Sequence, residues 1–201
     1  MQTINPYILN DLVKQIEPYV VTDTFVIDEW LSHTGIHESP NNIVSDGNPP
    51  QTMHLGDRWK VGYDETRYFE ADVIVPDYLA GKKVYLSIDF GGEALVRING
   101  EIVGAVSSRE NSGWVHRTEI LFKDKFKGGE KLSIQVEGAV DCASFCNRAI
   151  AGEKQLEYTL KKAELVAVNE KAESYWYDIS TAHEVYECCE DEYIKSRLYI
   201  A

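Results

Sequence analysis

Apolar and polar residues alternate through the middle of the chain. In residues 83–90, for example, Val84, Leu86, Ile88 and Phe90 are separated by polar or amphipathic residues. A period of two is typical of a strand with one buried face. Strands are predicted at 24–31, 66–75, 83–90, 94–98, 101–106, 115–121, 131–136 and 158–168. Short strands at this turn-bounded spacing predict a mainly β protein, an antiparallel β-sandwich or jelly roll.

Turn residues separate these segments. Asn99-Gly100 lies between two of them and is a strong hairpin signal. Gly91-Gly92 and Gly128-Gly129 also lie between predicted strands, and we interpret both pairs as turns. The segment 32–57 is so rich in Pro, Gly, Asn and Asp that it predicts a long polar loop.

The pattern changes to a helical period at both ends. Asn5-Pro6 is a typical helix start, and Pro18 ends the apolar stripe that follows it. Near the C-terminus, a stripe predicts a helical segment with residues 178–181 as a candidate break. Its members are Ala172, Tyr175, Ile179, Ala182, Tyr186, Cys189 and Tyr193. The predicted organisation is a helix in 1–20, a sandwich in 21–169 and a helical segment in 170–201, with a C-terminus that looks cut from a longer chain.

Composition limits the classes of partner and compartment that fit this chain. Among 201 residues, 33 are acidic and 20 basic, for a formal net charge of −13. So acidic a chain repels phosphate backbones and anionic lipids, which argues against nucleic-acid and membrane partners. No apolar stretch is long enough to span a bilayer, and the N-terminus lacks the layout of a signal peptide, so we expect a cytoplasmic protein.

The four cysteines agree with a reducing compartment. Cys142 and Cys146 are four positions apart, and Cys188 and Cys189 are adjacent. Neither spacing is that of a zinc or redox motif, and adjacent cysteines rarely form a disulfide. We expect four reduced thiols, most of them buried.

The sequence predicts no catalytic residue, metal ligand or cofactor site. His33 and His37 have the helical zinc spacing, but Gly35 lies between them, and we interpret them as two loop histidines. Sequence motifs for a nucleophilic serine, a phosphate-binding loop or a dinucleotide site are absent. Asp89 and Glu93 flank a glycine turn and are the best pair of carboxylates for glycoside cleavage, although a structural role is favoured.

Sugar recognition fits the composition better. The chain has 12 Tyr and 4 Trp, and aromatic faces stack on pyranose rings while polar side chains bind hydroxyls. The densest cluster of suitable side chains is 109–117; its alternative interpretation is a core tryptophan beside a solvated loop. The candidate sugar-binding residues are Trp114, His116, Arg117, Asn111 and Glu93.

The middle of the chain resembles known domains. Segments 59–76 and 81–100 resemble the galactose-binding-like β-sandwich domains that precede the catalytic domain in several glycoside hydrolases. The stretch 89–96 (DFGGEALV) resembles a turn in the N-terminal domain of family 38 α-mannosidases of the cytosolic and vacuolar type. Segment 160–169, followed by a Tyr/Trp-rich helix, resembles the exit from that domain. The likeness covers about residues 20–200.

This resemblance implies a non-catalytic N-terminal domain of a zinc-dependent retaining α-mannosidase. It implies that zinc belongs to a catalytic domain outside this chain, and that the catalytic remainder of the same polypeptide is the partner. A homo-oligomer and a bound carbohydrate are further expected partners. The resemblance also implies that this chain is inactive alone and that the parent protein is an α-mannosidase.

Three alternatives stay open beside this one. The chain could be a free-standing carbohydrate-binding module that uses Trp114, His116 and Arg117. It could be the accessory sugar-binding domain of a β-galactosidase or β-glucuronidase. It could also be a structural interaction domain with an apolar patch around Tyr175, Tyr186 and Tyr193.

Overall fold

The predicted alternation forms a β-rich structure in which most strands run antiparallel to their neighbours. The computed structural model describes residues 6–39, 42–63, 65–108, 118–123, 125–139, 152 and 154–198. Its strands are β1 (Val21–Val26), β2 (Trp30–Ser39), β3 (Asn42–Ser45), β4 (Gln51–Met53), β5 (Arg58–Gly62), β6 (Thr66–Ile74), β7 (Lys83–Asp89), β8 (Glu93–Ile98), β9 (Glu101–Ser107), β10 (Glu119–Lys123), β11 (Lys131–Ala139), β12 (Gln155–Thr159) and β13 (Lys162–Val168). Its helices are α1 (Pro6–Ile16), α2 (Glu170–Cys188) and α3 (Glu192–Leu198).

The chain divides into two compact units. Residues 24–166 form the larger unit, which contains most of the β-structure. The smaller unit joins residues 1–23 to residues 167–201 and contains the three helices.

Two sheets make up the sandwich. The larger has seven strands in the order β3-β2-β6-β11-β8-β9, with β4 also paired to β2, and the smaller has the order β1-β13-β7-β10. A separate two-stranded sheet pairs β12 with β5. The core side chains alternate along the strands as a period of two requires, and fully buried examples are Phe69, Leu86, Ile88, Ile134 and Leu165. The predicted jelly-roll or sandwich fold is confirmed.

An aromatic cluster connects the sheets. Phe90, which follows β7, lies 4.7 Å from Phe69 of β6 and 5.2 Å from Trp30 of β2 between ring centroids. Trp59 of β5 packs on Phe69 at 5.2 Å and on Tyr158 of β12 at 5.0 Å. The Trp59 indole N–H donates a 2.8 Å hydrogen bond to the Phe90 carbonyl, so the buried ring leaves no polar atom unsatisfied.

The turn after β7 requires its two glycines. Gly91 has a φ of +92°, and a Cβ there would lie 2.9 Å from Tyr158 Cβ. At Gly92 a Cβ would lie 2.5 Å from the backbone carbonyl oxygen of Ala139. The paired glycines are therefore needed for close packing at the end of the sandwich.

The prediction of a long loop at 32–57 is wrong. It contains most of β2 and all of β3 and β4. Ser32 and Thr34 of β2 accept hydrogen bonds from the Arg67 side chain, at 2.7 and 3.0 Å. Because this strand carries polar residues on its inward face, hydrophobic alternation could not reveal it.

Two other predicted strands are each divided between two observed strands. The predicted strand at 24–31 is split between β1 and β2, and the predicted strand at 158–168 is split between β12 and β13. Between β12 and β13, the N–H groups of Leu160 and Lys161 donate to the carbonyls of Asp57 and Asp89, at 3.0 and 2.8 Å. These bonds take the place of strand pairing, so the chain changes sheets there.

The helical unit differs in detail from its prediction. Asn169 caps α2 by accepting from the backbone N–H groups of Lys171 and Ala172, at 3.2 and 3.3 Å. Residues 178–181 lie inside α2, and the break falls instead at 189–191. Ile179 is buried as expected, but Tyr175 and Tyr193 are 55% and 67% exposed. The stripe is therefore buried at Ile179 and exposed at both tyrosines, which agrees with the expected apolar patch that includes Tyr175 and Tyr193.

Cysteine burial was also partly misjudged. Cys188 is exposed and Cys189 is half-buried, and both are free thiols. Cys142 and Cys146 lie outside the described residues. Across the described helices, none has the length and apolar character needed to cross a bilayer.

Gly92→Ala should destabilise the sandwich by about 3 kcal/mol, because the new methyl group meets rigid backbone. Gly47→Ala is the control, since a Cβ there has nothing within 4 Å and only the φ of +82° opposes it. That control should cost about 1 kcal/mol. Urea unfolding midpoints measure both variants, and equal losses would contradict the packing argument.

Asn99→Ala should destabilise the β8–β9 hairpin by about 2 kcal/mol, because alanine disfavours a left-handed backbone and lacks the side-chain acceptor. Asn99 has a φ of +52°, and its Oδ1 accepts a 2.9 Å bond from Ser133 N. Asn99→Asp keeps that acceptor and should cost less than about 1 kcal/mol. Thermal unfolding followed by circular dichroism compares the two, and equal losses would exclude a role for the acceptor.

Candidate functional site

Strand register gathers polar residues on the outer face of the seven-stranded sheet. His33, Tyr68, Glu137, Leu95 and Ala105 lie directly opposite one another on five adjacent strands. Residues opposite one another in register share a face, and this row alternates with the inward-facing core residues. A second row, Ala139, Glu93 and Ser107, lies two positions further along.

These rows border a cavity of about 670 Å³. Its walls carry the polar side chains of His37, Thr66, Glu93, Ser107 and Glu137. Its apolar lining is Ala94, Leu95, Ala105, Val106 and Ala139. The cavity therefore combines an apolar floor with hydrogen-bonding groups, as small-molecule sites commonly do.

Glu137 is the central charged group of this face. Its side chain is only 10% exposed, and Oε1 forms an ion pair with Arg97 Nη1 of the neighbouring strand β8. Its Oε2 lies 3.7 Å from His37 Nε2. A carboxylate so deeply buried requires a compensating cation, which Arg97 supplies.

Tyr68 contacts the same group of side chains, Glu137, Arg97 and His37, through its hydrogen bond to His37. Its hydroxyl shares a 2.7 Å hydrogen bond with His37 Nε2, and its ring stacks on His33 at 5.1 Å. Burial raises the pKa of Tyr68, against smaller opposing effects from a hydrogen bond with Thr66 and the charge of Arg97. The phenol therefore stays protonated and can donate at neutral pH.

Asp89 and Glu93, the two carboxylates predicted as a pair, have different settings in the structure. Asp89 Oδ1 accepts a 2.9 Å bond from Gly91 N, and Oδ2 lies 3.7 Å from Lys161 Nζ. Asp89 therefore holds the glycine turn, as the structural interpretation predicted. Glu93 lines the cavity.

The other candidate sugar-binding residues cannot be placed. Asn111, Trp114, His116 and Arg117 lie outside the described residues. Glu93 is the member of that set whose position the structure gives.

The two histidines are not loop residues. His33 and His37 both lie in β2, and His37 lines the cavity. The sequence interpretation was therefore wrong about their setting, and it missed Tyr68 and Glu137 altogether. Tyr68 lies at an outward position of the predicted strand 66–75, and Glu137 lies one residue beyond the predicted strand 131–136. Both give a weak signal, because outward positions are usually solvated.

A second, more polar cleft of about 450 Å³ surrounds Arg67. Besides its bonds to Ser32 and Thr34, the guanidinium donates to Gln51 Oε1 at 3.1 Å. Burial lowers the pKa of Arg67, which an Asp46 charge partly offsets. Hydrogen bonds from Asn48 in turn lower the pKa of Asp46. Since Arg67 donates its hydrogen bonds to other side chains of the protein, we assign this cleft a structural role.

Within the part of the chain that the structure describes, no group of three or more His, Cys, Asp or Glu side chains could hold a metal ion. The residues described here therefore do not fit a zinc site.

Comparison with known proteins gives a structural neighbour of low identity. The crystal structure of the Ruminococcus gnavus β-glucuronidase superposes with a TM-score of 0.49 at 12% identity, over 75% of this chain and 30% of that chain. The match thus spans less than a third of that enzyme's chain. A search of curated proteins returns no match.

A family model gives a firmer result. The model described as "Alpha-mannosidase, jelly roll domain" matches residues 28–166. This span is more than half of the chain and nearly coincides with the larger compact unit, residues 24–166. The chain therefore belongs to the family of α-mannosidase jelly-roll domains.

Proposed function

We propose that this chain is the non-catalytic N-terminal domain of a zinc-dependent, retaining α-mannosidase. In this proposal the domain packs on the catalytic remainder of the same polypeptide and contributes to assembly of the enzyme, including its oligomers. The zinc site and the catalytic carboxylates belong to that remainder.

One observation carries the proposal. The family match ends at residue 166, and the larger compact unit of the structure ends at the same residue. A span recognised as the jelly roll of an α-mannosidase thus forms a unit with its own buried core.

Exposed apolar side chains of the smaller unit support a packing role. Tyr175 and Tyr177 of α2 are 55% and 51% exposed, and Tyr193 and Ile194 of α3 are 67% and 45% exposed. Tyrosine is enriched in protein interfaces because it combines a large apolar ring with a hydroxyl that can stay hydrated. We assign these side chains to contacts with the remainder of the polypeptide.

We expect the 201-residue chain to show no hydrolysis of p-nitrophenyl α-mannoside, with or without added zinc. The polypeptide encoded by the complete natural reading frame should hydrolyse it, lose activity on chelation and regain it with zinc. Proton NMR of the first-released sugar should show the α-anomer, because a retaining enzyme makes two inversions.

The p-nitrophenyl β-glucuronide and β-galactoside are the matched control substrates. Their hydrolysis by the complete polypeptide, without hydrolysis of the α-mannoside, would contradict the proposal in favour of a β-glycosidase. Turnover of the α-mannoside by the 201-residue chain at ordinary enzyme rates would contradict its non-catalytic role.

A further inference from the structure

We propose that the cavity on the outer face of the seven-stranded sheet binds a neutral saccharide, with the Glu93 carboxylate accepting hydrogen bonds from sugar hydroxyls. This goes beyond the proposed packing role, since it concerns a ligand site formed by this chain alone. Only the choice of mannosides as first probes rests on the proposed function.

The size and floor of the cavity suit a sugar ring. Its volume of about 670 Å³ lies within the range of roughly 300–1,000 Å³ for small-molecule sites. Leu95, Ala105 and Ala139 supply apolar surface on three adjacent strands. The C–H face of a pyranose can rest on such a floor and release water from both surfaces.

The walls supply the hydrogen bonds that hydroxyl groups need. Thr66 and Ser107 carry hydroxyls that can both donate and accept, and His37 carries a ring nitrogen that can do either. Each sugar hydroxyl also donates and accepts, so a mixed set of this kind matches a polyol better than a set of donors alone.

The distribution of charge selects a neutral ligand. The charge of Glu137 is already balanced by Arg97, its ion-pair partner. Within the described residues, the Glu93 carboxylate has no hydrogen-bonding or ion-pair partner, and its side chain borders the cavity. Among the described residues that line the cavity, Glu93 thus leaves one uncompensated negative charge, which disfavours phosphate and other anions, while a compact cation would gain nothing from the apolar floor.

The site is also held in place before any ligand arrives. Glu93, Leu95 and Arg97 alternate along one strand, β8, which hydrogen-bonds to β11 on one side and β9 on the other. The Arg97 ion pair and the nearby His37 ring fix the Glu137 side chain. Such support means that the β8 backbone and the Glu137 side chain need not reorder on binding.

Titration calorimetry of the 201-residue chain with mannose, mannobiose and galactose tests the site. We expect saturable binding of at least one of these sugars, weakened about tenfold or more by Glu93→Gln, since hydrogen bonds to charged groups are the stronger ones. Ala105→Phe, which fills the cavity from β9 and removes no polar group, should abolish binding.

Glu101→Gln is the matched control, because it makes the same chemical change at an exposed position of the same hairpin. It should leave affinity unchanged, and circular dichroism should show all three variants folded. Absence of saturable binding by the folded parent chain would overturn the inference, as would affinity that survives both Glu93→Gln and Ala105→Phe. Saturable binding of spermidine in place of every sugar would also overturn it. None of these outcomes alters hydrolysis by the complete polypeptide, so the two proposals fail separately.

Discussion

The sandwich depends on one buried hydrogen bond and the packing around it. Trp59 donates its indole N–H to the Phe90 carbonyl at 2.8 Å, and its ring lies against Phe69. This bond ties β5 to the turn that follows β7, while Phe90 packs on Phe69 of the other sheet. An unpaired indole N–H at this depth would cost free energy. The buried position of the Trp59 ring therefore requires the turn to present the Phe90 carbonyl.

The packing around this hydrogen bond also distinguishes the residues that form the turn from those that remain free to contact a ligand. Asp89, Gly91 and Gly92 are used to form the turn and to allow the close approach of neighbouring backbone and Tyr158. The residues that most resemble the mannosidase motif are therefore explained by packing. Glu93, the next residue in the chain, leaves the turn and reaches the outer face. One short segment thus connects the core with the candidate site.

Sequence reasoning succeeded where one face of a strand is apolar and failed where both faces are polar. Burial follows the alternation in β8, in the first half of β7 and from Phe69 onward in β6, and the Asn99-Gly100 turn adopts the expected left-handed backbone. β2 was missed because its inward hydroxyls satisfy Arg67. In α2 the apolar stripe is buried at Ile179 and exposed at Tyr175, and the spacing alone does not distinguish these two positions.

The fold class, the hairpin, the glycine turn and the family likeness can be predicted from the sequence alone, because each depends on local periodicity or on residues close together in the chain. The composition of the outer face depends instead on how the strands pair in the folded protein. His37, Tyr68, Glu137 and Arg97 come from four strands, and the antiparallel register alone brings them together. Register is set by the packing of the opposite, apolar face of the sheet, so no local pattern around any one of these residues could reveal the cluster.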